Sequence, residues 1–339
     1  MNEFLVLTRA IHFGAVLWLF GEFVLLAVVV GPALRRVSEH ASIDSREPER
    51  RLFRVAGWCV AIGIASAIAW LLLEAVNMSG MPLAEALNRR TLDAVLRETV
   101  FGRIWLVRLG LSLLLSAMLW LGSRQQTRRK GAMLKIGGIF LAGAYAATLA
   151  WTGHALSDAG ADRYAHLASD SVHLLAAGAW VGALPGLASL LKRAGDVARP
   201  EMFALAVSAT QRFSTLGMVS VSALVMTGMI NAWYLVANVA ALLGTGYGRL
   251  LLWKLLIFAM MVTLAAINRL RLTPRLATAT TIVTLSRNAL ARLRRNTLLE
   301  LAGGVAVVGI VAALGVATPA MHMLDREHPH PMTSEAHVH

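Results

Sequence analysis

The stretch Ala10-Ile11-His12-Phe13-Gly14-Ala15-Val16-Leu17-Trp18-Leu19-Phe20-Gly21-Glu22-Phe23-Val24-Leu25-Leu26-Ala27-Val28-Val29-Val30 holds one imidazole and one carboxylate in an otherwise apolar run. At 1.5 Å per residue such a run reaches across the hydrocarbon of a bilayer, roughly 30 Å. It predicts a membrane-spanning helix. It does not read as a signal peptide. Only Arg9 stands in place of a basic leader region, the apolar stretch is too long, and no small-residue cleavage site follows. It is expected to be retained.

Seven further blocks of the same kind follow. The eight expected spans are about 4–34, 54–76, 102–122, 133–152, 169–191, 213–236, 249–269 and 299–318. Composition agrees. Across 339 residues, 57% are hydrophobic and only 15% charged, where a soluble protein carries roughly 25% charge. This excludes a soluble enzyme, a disordered regulator and a coiled coil. The expected fold class is an all-α integral membrane protein of eight transmembrane helices. A formal net charge of +13 would suit nucleic acid, but the basic residues fall between the apolar blocks, so no nucleic-acid partner is expected. One cysteine, Cys59, rules out an internal disulfide or a C-x-x-C metal site.

The basic residues also give a direction. Loops one, three, five and seven carry 22 of the 32 Lys and Arg. They include Arg35, Arg36 and Arg54 in the first, Lys130 and Lys135 in the third, Lys192 and Arg199 in the fifth and Arg292 to Arg295 in the seventh. By the positive-inside rule these loops are cytoplasmic and both termini face the periplasmic side. Loop two, about 77–101, has Leu83, Leu87, Leu92 and Leu96 near helical spacing, which predicts a short amphipathic helix on the outer surface.

Span five repeats the opening pattern. His12-Phe-Gly-Ala-Val-Leu-Trp18-Leu-Phe-Gly21 is matched by His173-Leu-Leu-Ala-Ala-Gly-Ala-Trp180-Val-Gly182. Span three opens Phe101-Gly102-Arg103 and reaches Arg108; span seven opens Tyr247-Gly248-Arg249 and reaches Lys254. Both matches come in the same order and direction. The chain therefore reads as two tandem four-helix repeats, 1–152 and 153–318, followed by a tail, 319–339. Repeats of this kind place sites between the halves.

Nine of the ten histidines fall on or near the outer side. His12, His154 and His173 lie at similar depth on three spans. Imidazole ligates copper, zinc and iron, and ionisable groups at membrane depth are mostly functional. His166, Asp170 and His173 follow i, i+4, i+7 spacing and share a face if the helix starts early; Asp170 can then orient a ligating imidazole. The tail adds Met321-His322-Met323, His328-Pro-His330-Pro-Met332 and His337-Val-His339. Mixed thioether and imidazole favours copper. Arg108 and Lys254 are expensive at their depth and call for Glu74 or Asp170 as partners, or for an anionic group. The inner half offers only Glu22, Met218 and Met260. There is no G-x-x-x-x-G-K-[ST] and no H-E-x-x-H, so neither ATP-driven pumping nor zinc proteolysis is expected.

With these residues in view, the whole chain resembles the copper resistance protein D family of bacterial inner-membrane proteins. The resemblance rests on Arg9-Ala-Ile-His12 with Trp18 and Gly21, Trp151-Thr-Gly-His154, His173 with Ala-Gly-Ala-Trp180, Arg212-Phe-Ser214 with Thr227-Gly228, Gly248-Arg249 with Lys254, and Thr318-Pro319 before the His-rich end. It implies a non-enzymatic copper-handling protein that moves copper from periplasm to cytoplasm. The implied partner is a small periplasmic copper-binding protein resembling copper resistance protein C. The metal ligands expected are His12, His154, His173, His166, His322, His328 and His330, with Asp170, Arg108, Lys254 and Glu74 as supporting groups. Each half also resembles a four-helix haem-pathway membrane protein that pairs a span-one His with a span-three Lys. That keeps a second function open, a haem- or porphyrin-binding redox protein with His12 and His173 as axial ligands. A membrane scaffold that docks copper proteins is a third.

Overall fold

The computed structural model describes residues 2–38, 46–123, 128–152, 160–196, 199–235, 243–278 and 283–316. Among them the chain is helical, with no strand. Eight helices are long and apolar enough to cross a membrane: Asn2–Ser38, Glu49–Ser79, Val100–Gly122, Ala132–Thr152, Asp162–Arg193, Pro200–Trp233, Gly246–Leu276 and Arg287–Leu314. They are called spans one to eight below. The chain is a multi-pass membrane protein, because only helices can close every backbone hydrogen bond within a lipid-facing segment of this length.

Most spans run past the apolar blocks that betray them. Span two begins in a helix that starts at Arg46, span six in one that starts at Pro200, and span eight in one that starts at Val283. These extensions are basic or amphipathic, so hydropathy marks only the part in hydrocarbon while the helix continues into the interface. Span five behaves likewise. Its helix starts at Gly160, which puts His166, Asp170 and His173 on one continuous helix. Loop two contains two short helices, Leu83–Ala86 and Arg89–Glu98, instead of one. Asn88 divides them: its side chain accepts from Thr91 N at 2.8 Å and caps the second. The second packs on spans two and three through buried Val95.

Spans one to four form a closed ring in which one touches two and four, and three touches two and four. Spans five to eight repeat that ring, with five touching six and eight, and seven touching six and eight. Between the rings, span one meets spans five, six and eight, and span four meets span five. Spans one and five cross at Gly21 and Gly182. A Cβ on Gly21 would lie 2.1 Å from the Gly182 carbonyl carbon, and one on Gly182 would lie 2.0 Å from Leu17 O. Only glycine allows two backbones this close, as in small-residue contacts between membrane helices. Around the crossing pack Phe20, Phe23, Leu25, Trp180 and Leu184, all buried.

At one end of the bundle Lys135 pairs with Glu49, and Glu47 pairs with Arg193 and with Arg199 at 3.3 Å. The basic groups flanking loops one, three and five therefore gather at one end, as the charge pattern requires. The imidazoles of spans one and five lie toward the other end.

Candidate functional site

His12 is fully buried among spans one, two and four. Its Nδ1 lies 3.2 Å from Gly63 O and 3.0 Å from Ser66 Oγ. A carbonyl oxygen only accepts, so Nδ1 carries the proton and Nε2 presents a lone pair. Nε2 has no hydrogen-bond partner. The ring meets Trp70 and Tyr145 edge-on, with centroids 5.5 and 5.9 Å away. Trp70 also carries two cations. The guanidinium carbon of Arg9 lies 5.0 Å from its ring and that of Arg108 5.2 Å. Arg108 is almost wholly buried and donates to Thr148 through Nε at 3.0 Å and Nη2 at 2.8 Å. Trp70 Nε1 donates to Glu74 Oε2 at 3.2 Å. Glu74 thus serves the indole, and neither arginine forms an ion pair among the described residues.

His173, half-buried, stands at the corresponding place in the second ring. Its Nδ1 meets Thr227 Oγ1 at 2.9 Å, and that hydroxyl donates to Ala223 O at 2.7 Å. A hydroxyl committed to a carbonyl accepts from the imidazole, so Nδ1 again carries the proton and Nε2 is left to ligate. One turn before His173, Asp170 Oδ1 accepts from Asn231 Nδ2 at 3.1 Å, and Asn231 Oδ1 accepts from Ser169 at 2.7 Å. Asp170 lies within electrostatic reach of buried His166 and of Lys254.

The two environments share a frame. The hydroxyl that holds each imidazole stands 54 residues further on in both cases. The glycine of the crossing stands nine residues after each histidine. Yet the contents differ. Three residues before the histidine the first half has Arg9 and the second has Asp170. The first environment is rich in cations; the second balances Asp170 against Lys254.

Several expected residues fall elsewhere. His154 and the tail histidines His322, His328 and His330 lie outside the described residues. Arg108 bonds Thr148 where a carboxylate was expected. Among the described residues no three His, Cys, Asp or Glu side chains stand close enough together to hold a metal ion. His12 and His173 are held by different helices and different partners.

Sequence reading missed Ser66, Asn231, Tyr145 and Thr148, and gave Thr227 no role beyond the resemblance, since single hydroxyl, amide and phenol groups in apolar spans carry no pattern. The repeated 54-residue interval was the available signal. Glu300 was missed too. It is buried in span eight and accepts from Asn268 Nδ2 at 2.6 Å, at a π-helical turn, Asn268–Leu272. It lines a cavity of about 200 Å³ with Trp180, Thr210, Met218 and Asn268, toward the basic-loop end. Glu22 is buried in span one, and neither carboxylate oxygen has a hydrogen-bond partner.

Residues 1–165 match the family model described as copper resistance protein D-like, N-terminal domain, and residues 207–314 match copper resistance protein D. Copper resistance protein D of Pseudomonas syringae pv. tomato is 32% identical over 264 residues, covering 76% of this chain and 83% of that protein. The chain belongs to the copper resistance protein D family. Inner membrane protein YebZ of Escherichia coli is 27% identical over 79% of this chain and 84% of its own length. Copper transport protein CutJ of Bacillus subtilis is 27% identical over 63% of this chain and 38% of its own length. No solved structure matches the chain. The family's names are those of copper resistance and transport proteins, and its members include a named inner-membrane protein. This chain is accordingly a multi-pass membrane protein of a copper-handling family, with the two histidine environments lodged in its two rings.

Proposed function

We propose that this protein takes up copper on the periplasmic side of the inner membrane and passes it toward the cytoplasm. The observation that carries the reading is the face of span five. His166, Asp170 and His173 stand on one helix, and the Thr227 hydroxyl fixes the His173 tautomer so that Nε2 keeps a lone pair for a ligand. Such an outer hydrogen bond to a ligating imidazole sets both orientation and basicity. The Asp170 carboxylate supplies the negative charge a copper cation needs. The His/Met tail, 319–339, is the capture segment and the docking point for a periplasmic partner resembling copper resistance protein C. His154 is the remaining imidazole of the proposed outer ligand set.

We read the halves, 1–152 and 153–318, as tandem repeats about an axis through the Gly21–Gly182 crossing. Equal intervals in both halves, matching rings of contacts, and equivalent glycines meeting each other favour this arrangement, because only residues on a two-fold axis touch their own counterparts. With the basic loops in the cytoplasm, both termini are periplasmic. The route inward that this reading takes lies beyond the crossing, past Glu22 and toward the cavity at Glu300 and Met218 within the second ring.

The test is copper content after loading of the detergent-purified chain, full length and lacking 320–339, with and without His173→Ala. Copper retained without the tail and lost with His173→Ala is the expected result. Equal copper in the wild type and His173→Ala, tail absent from both, would overturn the assignment.

A further inference from the structure

The first ring carries a set of orphaned polar atoms, two of them on cations, that a copper ion at His12 would not satisfy. His12 Nε2, Arg9 Nε and Arg108 Nη1 are all buried, and none has a hydrogen-bond partner. All three side chains lie against one ring: Arg9, Arg108 and the His12 imidazole stand 5.0, 5.2 and 5.5 Å from Trp70. Each buried donor or acceptor without a partner is costly, and each buried charge more so. Here they accumulate in one place, in a chain that satisfies its neighbouring polar atoms well. Ser66, Thr148 and Trp105 in the same ring all find partners.

The charges point one way. Arg9 and Arg108 approach Trp70 from spans one and three, and the Arg9 head also lies against Gly315 at the end of span eight. Glu74 faces the site from span two, but accepts from Trp70 and Asn77. Tyr145 faces it from span four with its ring against His12. Two guanidiniums against one engaged, half-exposed carboxylate leave an excess of positive charge, and a copper cation would be repelled. An anion would be held. The orphaned atoms refine its identity, because two are donors and one is an acceptor. A halide satisfies only the donors. An oxyanion that keeps one O–H satisfies all three: its oxygens accept from Arg9 and Arg108, and its hydroxyl donates to His12 Nε2.

We propose that Arg9, Arg108 and His12 form a binding site for a small protonated oxyanion of the hydrogencarbonate or dihydrogen phosphate kind. The second ring has the same frame without the excess positive charge, Asp170 standing where Arg9 stands and offsetting Lys254. The paired rings thus bind unlike ions, an oxyanion in the first and a metal cation in the second. The proposal goes beyond the copper reading and uses none of its ligands on span five, so either can fail alone.

The experiment is equilibrium dialysis of the full-length chain in detergent against radiolabelled hydrogencarbonate, phosphate and chloride, each at constant ionic strength. The expected result is saturable binding of one of the two oxyanions, one per chain, not displaced by chloride. Arg9→Gln and Arg108→Gln should each weaken it by roughly tenfold or more, as loss of a charged hydrogen bond does. His12→Phe should abolish it, and His12→Gln, which restores an acceptor, should recover part of it. Arg108→Lys, keeping the charge, and an unchanged gel-filtration profile separate loss of binding from loss of fold. No saturable oxyanion binding to the wild type would overturn the site. So would binding that survives Arg108→Gln in a folded protein. Chloride binding that is indifferent to His12→Phe would overturn the protonated-oxyanion assignment.

Discussion

Replacing Gly21 with Ala tests the helix crossing on which both histidine environments depend. The added methyl would sit 2.1 Å from the Gly182 carbonyl carbon, 2.4 Å from Ala183 N and 2.5 Å from Gly178 O. Ordinary contact begins near 3.4 Å, so spans one and five must part by about 1.3 Å. All three obstacles are backbone, and none can swing away as a side chain would. Overpacking of this sort costs about 1–3 kcal/mol. Gly14, in the same helix, has nothing within 4 Å of its would-be Cβ. There the same substitution should gain about 0.5–1 kcal/mol from helix propensity alone. The two variants should therefore differ by about 1.5–4 kcal/mol in opposite directions around the wild type. The assay is reversible unfolding in mixed detergent micelles, followed by circular dichroism, with both variants and Gly182→Ala. Gly21→Ala and Gly182→Ala relieve or aggravate the same approach, so their effects should be non-additive in the double variant. If Gly21→Ala proved as stable as Gly14→Ala, the crossing would not be tight and the reasoning about a shared axis would fall.

Three further outcomes follow from the sites. Thr227→Val should lower copper affinity about 10–100-fold by freeing His173 Nδ1, and Thr227→Ser should restore it; competition with a chelator measures both. The purified chain should show no Soret band, whether loaded with copper or not, and a Soret band that disappears in His12→Ala or His173→Ala would instead establish axial haem ligation. Glu300→Leu should destabilise by about 1–3 kcal/mol, because Asn268 Nδ2 loses its acceptor, whereas Glu300→Gln, which keeps a carbonyl, should cost less in the same unfolding assay.

The membrane architecture was legible in the residues because hydrocarbon imposes a single rule. A segment either satisfies its own backbone or does not cross, and only a long apolar helix does so. The span count, the alternation of basic loops and the likeness of the His12 and His173 strings all follow from linear patterns of hydropathy and spacing. The family assignment rested on the same local strings, and comparison with known proteins agrees. Helix ends were misplaced where a helix outlasts the apolar block, as at Arg46, Gly160 and Pro200, since hydropathy reports solvent and not backbone conformation.

The tertiary structure decided which side chains meet. A histidine at membrane depth is equally visible whether a hydroxyl, a carboxylate or a guanidinium faces it from another helix. In sequence, His12 and His173 look like twins. In space one is surrounded by Arg9 and Arg108 and the other by Asp170 and Lys254; Arg9 and Asp170 precede the histidines on their own helices, but Arg108 and Lys254 reach them from helices dozens of residues away. Only packing shows that Arg108 answers to Thr148 and not to Glu74, or that Gly21 lies against Gly182. Hydropathy acts residue by residue along the chain, whereas charge and shape act between residues that folding brings together. The sequence alone thus determined that this is an eight-span membrane protein of a copper-handling family, and the fold decided which groups from other spans give its two histidine environments their unlike character.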